Sequence, residues 1–191
     1  MSEVIVVGAG VLGASTAYHL VKMGAKVTIV DAGLEGQATV AAAGIICPWT
    51  SQRRNKKWYT LAKNGAAYFS TLIPALEEDS DIDTGYKKVG AISIHTDSEK
   101  LKKMKERALK RREDAPEIGE VYQLDEMETA KLFPPIAEGY SSVYVSGGAR
   151  VNGGALRDAL VRVAKKHGAR FVNGKAELIH QSSAMKGVKV N

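Results

Sequence analysis

The chain is short of cysteine, of proline and of long apolar runs, with one cysteine and five prolines among 191 residues. A lone thiol, Cys47, excludes an internal disulfide and a thiolate metal cluster, so a reducing compartment, the cytoplasm, is the simplest expectation. No segment reaches the roughly 20 apolar residues of a membrane span, because the most apolar early stretch is broken repeatedly by glycine. Met1, Ser2 and Glu3 lead straight into a strand-like run, without the basic start and apolar core of a secretory signal. His19, His95, His167 and His180 are scattered without H-E-x-x-H or related spacing, so no metal site is expected. No serine is accompanied by the histidine and acid that would activate it as a nucleophile.

What is present is ordinary globular material: 45% hydrophobic, 25% charged and, at 20.5 kDa, enough chain to bury a real core. The formal net charge of +6 is local in origin. Between Lys100 and Arg112, Leu101, Met104, Ala108 and Leu109 recur at helical spacing among Lys102, Lys103, Lys105, Arg107, Lys110, Arg111 and Arg112. That is an amphipathic surface helix with a solvated basic face, and no nucleic-acid partner is expected from it.

Val4 to Val7 read as a β-branched strand buried on both faces, as in the centre of a parallel sheet. Ala14, Ala17, Tyr18 and Val21 mark one face of a helix that Gly24 stops, and Val27, Ile29 and Val30 form a second strand. Residues 37–48 are too rich in alanine and glycine for a long element and too apolar for a solvated loop, so something should lie against them. Residues 56–78 turn helical, with Trp58, Leu61, Ala62, Ala66, Phe69, Leu72 and Leu76 inward and Pro74 as a kink or break. Tyr86 to Thr96, Val121 to Leu124 and Ser142 to Val145 are strand-like. Asp125 with Glu128 opens a short helix that stops before Pro134. Asn152 caps a helix carrying Leu156, Leu160, Val161 and Ala164, which Gly168 ends. Phe171 and Val172 start another strand, and Leu178 and Ile179 a last one for which the remaining sequence offers no partner.

Gly8-Ala9-Gly10-Val11-Leu12-Gly13 fits G-x-G-x-x-G between a strand and a helix, the context in which the pattern holds a dinucleotide. Gly8 permits the tight turn, Gly10 lets backbone approach a pyrophosphate, and Gly13 lets the helix pack against the strand. The phosphates then meet the amides and the positive end of the helix. Asp31 ends the second strand, where a carboxylate accepts the ribose hydroxyls and repels the 2′-phosphate of NADP. FAD and NAD present the same ADP half, so this unit alone leaves both open.

Gly8 to Asp31 followed by Gly36-Gln37-Ala38-Thr39-Val40-Ala41-Ala42-Ala43-Gly44-Ile45-Ile46 resembles the flavin family of D-amino-acid oxidase, glycine oxidase and sarcosine oxidase. The likeness continues through Gly90 to Ile94 and Tyr122 to Asp125, and Val151-Asn152-Gly153 resembles the family's Val-Asp-Pro helix entrance with Asn and Gly substituted. It implies FAD as the cofactor, with Val11 and Leu12 over the pyrophosphate, Asp31 and Ala32 at the ribose, and Ala38 and Thr39 near the diphosphate. Ala43, Gly44 and Ile45 would approach the flavin ring, and Glu177 falls near the strand that offers backbone to the adenine. The implied fold class is α/β: a Rossmann-like FAD/NAD(P)-binding βαβ fold over residues 1–83, an inserted α+β segment of a substrate domain over 84–147, and a return to the first domain over 148–191.

The resemblance implies oxidation of the CH–NH bond of an amino acid or secondary amine by hydride transfer to flavin N5. The family's substrate-binding arginine and tyrosine lie in a second half beyond this length, so the chain is expected to be an N-terminal portion with incomplete catalysis and no identifiable catalytic residue. An NAD-dependent dehydrogenase and a non-catalytic FAD-binding fragment are the alternatives. The expected partner is a small-molecule amine, and an unfinished sheet edge would favour homo-oligomers.

Overall fold

The computed structural model describes residues 2–181 and 184–191. It begins with β1 (Glu3–Val7), α1 (Val11–Lys22), β2 (Lys26–Asp31), α2 (Ala38–Ala41) and β3 (Ile45–Ile46). The long helix α3 (Lys56–Ser80) is followed by β4 (Lys87–Lys88), β5 (Ala91–His95) and α4 (Ser98–Arg112). After a 3-10 turn at Pro116–Ile118 come β6 (Val121–Leu124), α5 (Glu126–Leu132), β7 (Ser141–Val145) and β8 (Ala149–Arg150). Last are α6 (Gly153–Lys166), β9 (Arg170–Asn173), β10 (Ala176–Gln181) and β11 (Ala184–Val190).

The chain divides into two compact units: Met1–Gly44, Ile73–Gly85 and Asn152–Asn191 in the first, Ile45–Leu72 and Tyr86–Val151 in the second. The sequence reading kept all residues to 83 in the dinucleotide domain. Here residues 45–72 group with the later segment, because β3 pairs with β8 and the buried Trp49 joins the second unit's core.

The first unit holds a parallel sheet ordered β1-β2-β9, with Val6 opposite Ile29 and Val30 opposite Val172. Ala17 and Val21 of α1 share a core with Val27 and Ile29 of β2 and Ala164 of α6. The expected inward face of α1, Ala14, Ala17, Tyr18 and Val21, is the buried one. Among the described residues β1 pairs with β2 alone, and Ile5 and Val7 are 45% and 52% exposed. The expectation of an unpartnered last strand is corrected: β10 forms an antiparallel hairpin with β11, whose alternation, Val188-Lys189-Val190, is short and interrupted by Gly187.

In the second unit, β5-β7-β6 form an antiparallel sheet and α4 packs on it through Leu101, Met104 and Ala108. Asp97 caps α4 by accepting from the amides of Glu99 and Lys100, while Lys110, Arg111 and Arg112 sit at its negative end. A reciprocal Asp125–Glu128 capping box starts α5. Helix α3 continues through Pro74, so of the kink or break expected there the break does not occur; Leu72, Ile73 and Leu76 are buried around the proline, and that packing outweighs one missing backbone bond. Leu61, expected inside, is 75% exposed; Ala66, also expected inside, packs against the core together with Tyr59.

Leu101→Ala is therefore expected to cost about 2–5 kcal/mol in urea unfolding, and Leu61→Ala less than about 0.5 kcal/mol. In the first unit, Asp79 accepts from Lys166 at 3.4 Å, with Lys22 and His167 within 3.7 Å. Desolvation works to raise its carboxyl, but the bonds from Lys166 and His167 prevail and hold it below the ordinary value. A depressed folded-state value stabilises above the unfolded carboxylate range, and that contribution disappears as pH falls through the folded one. Asp79→Asn should accordingly flatten the acid limb of the stability profile and leave the alkaline limb unchanged, as read by thermal unfolding across pH.

Candidate functional site

The glycine turn lies where β1 ends and α1 begins. Gly8 adopts φ +94, a left-handed conformation, and its amide donates to the Val30 carbonyl at 2.8 Å, tying the turn to β2. Gly13 is required by packing: a Cβ there would lie 1.9 Å from the Gly8 carbonyl oxygen. Gly10 is the N-cap of α1 and has no side chain to offer, so Thr39 serves instead, its Oγ1 accepting from the Val11 amide at 3.0 Å. Helix geometry leaves the amides of Leu12 and Gly13 without an intrahelical acceptor. No acidic residue occupies the first turn of α1, so its positive end is not neutralised from within.

Asp31 closes the arrangement. Its Oδ2 accepts from the Ala9 amide at 2.6 Å and its Oδ1 from the Gly33 amide at 2.8 Å. A carboxylate offers about four acceptor positions, so two remain for hydroxyl groups. Beside it a crevice of about 430 Å³ opens at the carboxyl ends of the strands, lined by Val7, Gly8, Asp31, Ala32, Gln37 and Gly174 to Ala176, among others. Glu177 is one residue further, exposed on β10 opposite Lys189.

The small-residue loop is partly anchored. A Cβ on Gly153 would lie 2.2 Å from the Thr39 carbonyl, so glycine at this helix entrance lets α6 and α2 approach closely. Asn152 keeps the cap, its Oδ1 accepting from the Ala155 amide at 3.0 Å. Arg157 donates to Gln37 Oε1 and pairs with Asp158 at 2.6 Å. Ala38 and Ala43 are exposed, and Gly44 has φ +66. Ile45 opens β3 of the second unit opposite Arg150 and is 72% exposed.

Thr39, Gly153 and Arg157 acting together carry no local signal; Thr39 and Val11 are 28 residues apart, and only folding joins them. The turn, its uncovered amides and the locked carboxylate fit the ADP half of a dinucleotide, and the missing side chain at Gly10 leaves the helix start open to a ligand. Cys47, in the second unit, lies 3.8 Å from Thr50 Oγ1; burial pushes its thiol up, only partly offset by the hydrogen bond to Thr50.

A model of the FAD dependent oxidoreductase family matches residues 3–191. The chain belongs to this family. FAD is the family's cofactor, which sets aside the NAD alternative. An uncharacterized oxidoreductase of Bacillus subtilis strain 168, YurR, is 59% identical over 191 residues, covering all of this chain and 51% of that protein. The crystal structure of iminodiacetate oxidase from Chelativorans sp. BNC1 superposes on 95% of this chain and 49% of its own, with 39% identity and a TM-score of 0.87. Glycine oxidase from Geobacillus kaustophilus matches 100% of this chain and 54% of its own at 26% identity, TM-score 0.78. The chain thus spans about half the length of the relatives it matches. Among the described residues no helix is long and apolar enough to cross a membrane.

Two substitutions test the turn itself. Gly13→Ala should destabilise by about 1–3 kcal/mol, since backbone must move to admit the methyl group. Thr39→Val should cost about 1 kcal/mol through loss of the capping acceptor. Urea denaturation measures both, and wild-type stability in Gly13→Ala would mean that α1 does not approach the turn as described.

Proposed function

We propose that this chain is the cofactor-binding part of an FAD-dependent enzyme that oxidises the CH–NH bond of a small, carboxylate-bearing amine. The observation that carries the reading is the positive end of α1, capped by Thr39 and flanked by Asp31 already fastened to the turn. Gly8, Gly10, Val11, Leu12 and Gly13 would hold the diphosphate through backbone amides, with Ala38 and Thr39 alongside. Asp31 and Ala32 would take the ribose. Ala43, Gly44 and Ile45, all small or exposed, would face the ring. Glu177 has the weakest support, because Gly174 to Ala176 line the crevice in its place.

Bound FAD supplies a two-electron acceptor for the amine. In this reaction the substrate carbon gives up a hydride and the nitrogen a proton, and water hydrolyses the resulting imine to an oxo acid and a smaller amine. The chain's own residues contribute binding and orientation. The names of the relatives, iminodiacetate oxidase and glycine oxidase, support amines next to a carboxylate. A reducing, cytoplasmic setting remains part of this reading on the strength of the single thiol. A second reading is FAD binding without turnover, since every role assigned above to this chain's residues is one of binding or orientation.

Denaturing the purified protein should release FAD, identified by mass, and Gly10→Val should release little or none. Adding iminodiacetate, sarcosine or glycine without oxygen should bleach the flavin, with glyoxylate appearing from iminodiacetate and from glycine. Bound FAD that no amine reduces selects the second reading, whereas absence of FAD overturns both.

A further inference from the structure

The second unit contains a strongly charged groove lined by none of the residues assigned above to FAD. It has a volume of about 580 Å³ and lies between the start of α3 and the end of α4. Six cations line it, Arg53, Arg54, Lys56, Arg107, Lys110 and Arg111, against the acids Glu113 and Asp114. Asp114 is already engaged by Lys63 at 2.8 Å, which leaves the positive charge largely uncompensated. Holding so many like charges in one depression is unfavourable unless an anion sits between them.

Some of these groups are set in position without an acidic partner. The Arg111 guanidinium lies over the Tyr59 ring at 4.1 Å and donates through Nη1 to the carbonyls of Trp49 and Ser51 at 2.5 and 2.8 Å. Arg53 stacks on Trp58 at 4.7 Å. Such stacking orients the planar donor forks before any ligand arrives. Two buried donors in the same lining, Tyr59 Oη and Arg107 Nε, have no acceptor among the described residues. Unmet buried donors are costly, and native proteins seldom keep them without a reason. Desolvation pushes the Tyr59 hydroxyl up, with Arg111 opposing, so it remains a donor at neutral pH.

We propose that this groove binds a small polyanion through phosphate-type oxygens, engaged by Arg54, Arg107 and Lys110, with a modest side-chain rotation bringing the Tyr59 hydroxyl to the ligand. Tetrahedral oxyanions suit a site that combines arginine forks with a lysine point charge, because their oxygens accept from several directions. The volume falls in the range of small-molecule sites, roughly 300–1,000 Å³. A polynucleotide would call for a basic track extending well past one groove.

Calorimetric titration with pyrophosphate and with inorganic phosphate, in the presence of saturating FAD to fill the glycine turn, tests this. Citrate at matched ionic strength distinguishes phosphate from carboxylate chemistry. Pyrophosphate should bind saturably, one per chain, and Arg54→Gln with Lys110→Gln should weaken it by at least about tenfold, since each removes a charge-assisted contact. Both residues are exposed, so the fold should survive, with circular dichroism as the check. Lys102→Gln with Lys103→Gln removes the same amount of charge, both from the helix that carries Lys110, and should change affinity less than about twofold. Equal weakening in the two double variants, tighter binding of citrate, no saturable binding, or a loss seen with Gly10→Val and not with Arg54→Gln and Lys110→Gln would each overturn the proposal.

Discussion

The Asp31 carboxylate, gripping the amides of Ala9 and Gly33, holds together the end of β2, the glycine turn and the positive end of α1. Without it, the turn would rely on the single Gly8 to Val30 bond and on close packing at Gly13. A charged acceptor on backbone amides is stronger than a neutral one. The same group therefore shapes the site and keeps capacity to accept from a sugar. Thr39 plays a parallel part at the helix end, where Gly10 cannot cap for itself.

Close approach of backbones recurs across the first unit. Gly13 admits the Gly8 carbonyl, and Gly153 admits the Thr39 carbonyl. The second contact explains why the proline of the related helix entrance is replaced here: any side chain at 153 would push α2, and with it Thr39, away from α1. Asn152 preserves the cap, so stiffness is exchanged for proximity while the helix start is maintained.

The second unit handles charge differently. Its basic helix is anchored by Leu101, Met104 and Ala108, capped by Asp97, and carries Lys110, Arg111 and Arg112 where the helix dipole favours them. Lys110 and Arg111, together with arginines preceding α3, converge on one groove. Charge already clustered in one stretch of the sequence is thereby joined in space by arginines from another, and its chemistry becomes that of a site.

Short-range patterns were readable from the chain alone. The G-x-G-x-x-G turn, the inward face of α1, the caps at Asn152 and Asp125 and the amphipathic α4 each depend on residues a few positions apart, and the family resemblance followed from them. Long-range outcomes were not. Which way Leu61 faces, and which strand lies beyond β2, depend on partners brought in from elsewhere in the chain. So does the meeting of Thr39 with Val11, of Gln37 with Arg157, and of Arg54 with Lys110. Periodicity states which side of an element is apolar; only closure of the chain decides what covers it, because that energy comes from surfaces distant in sequence.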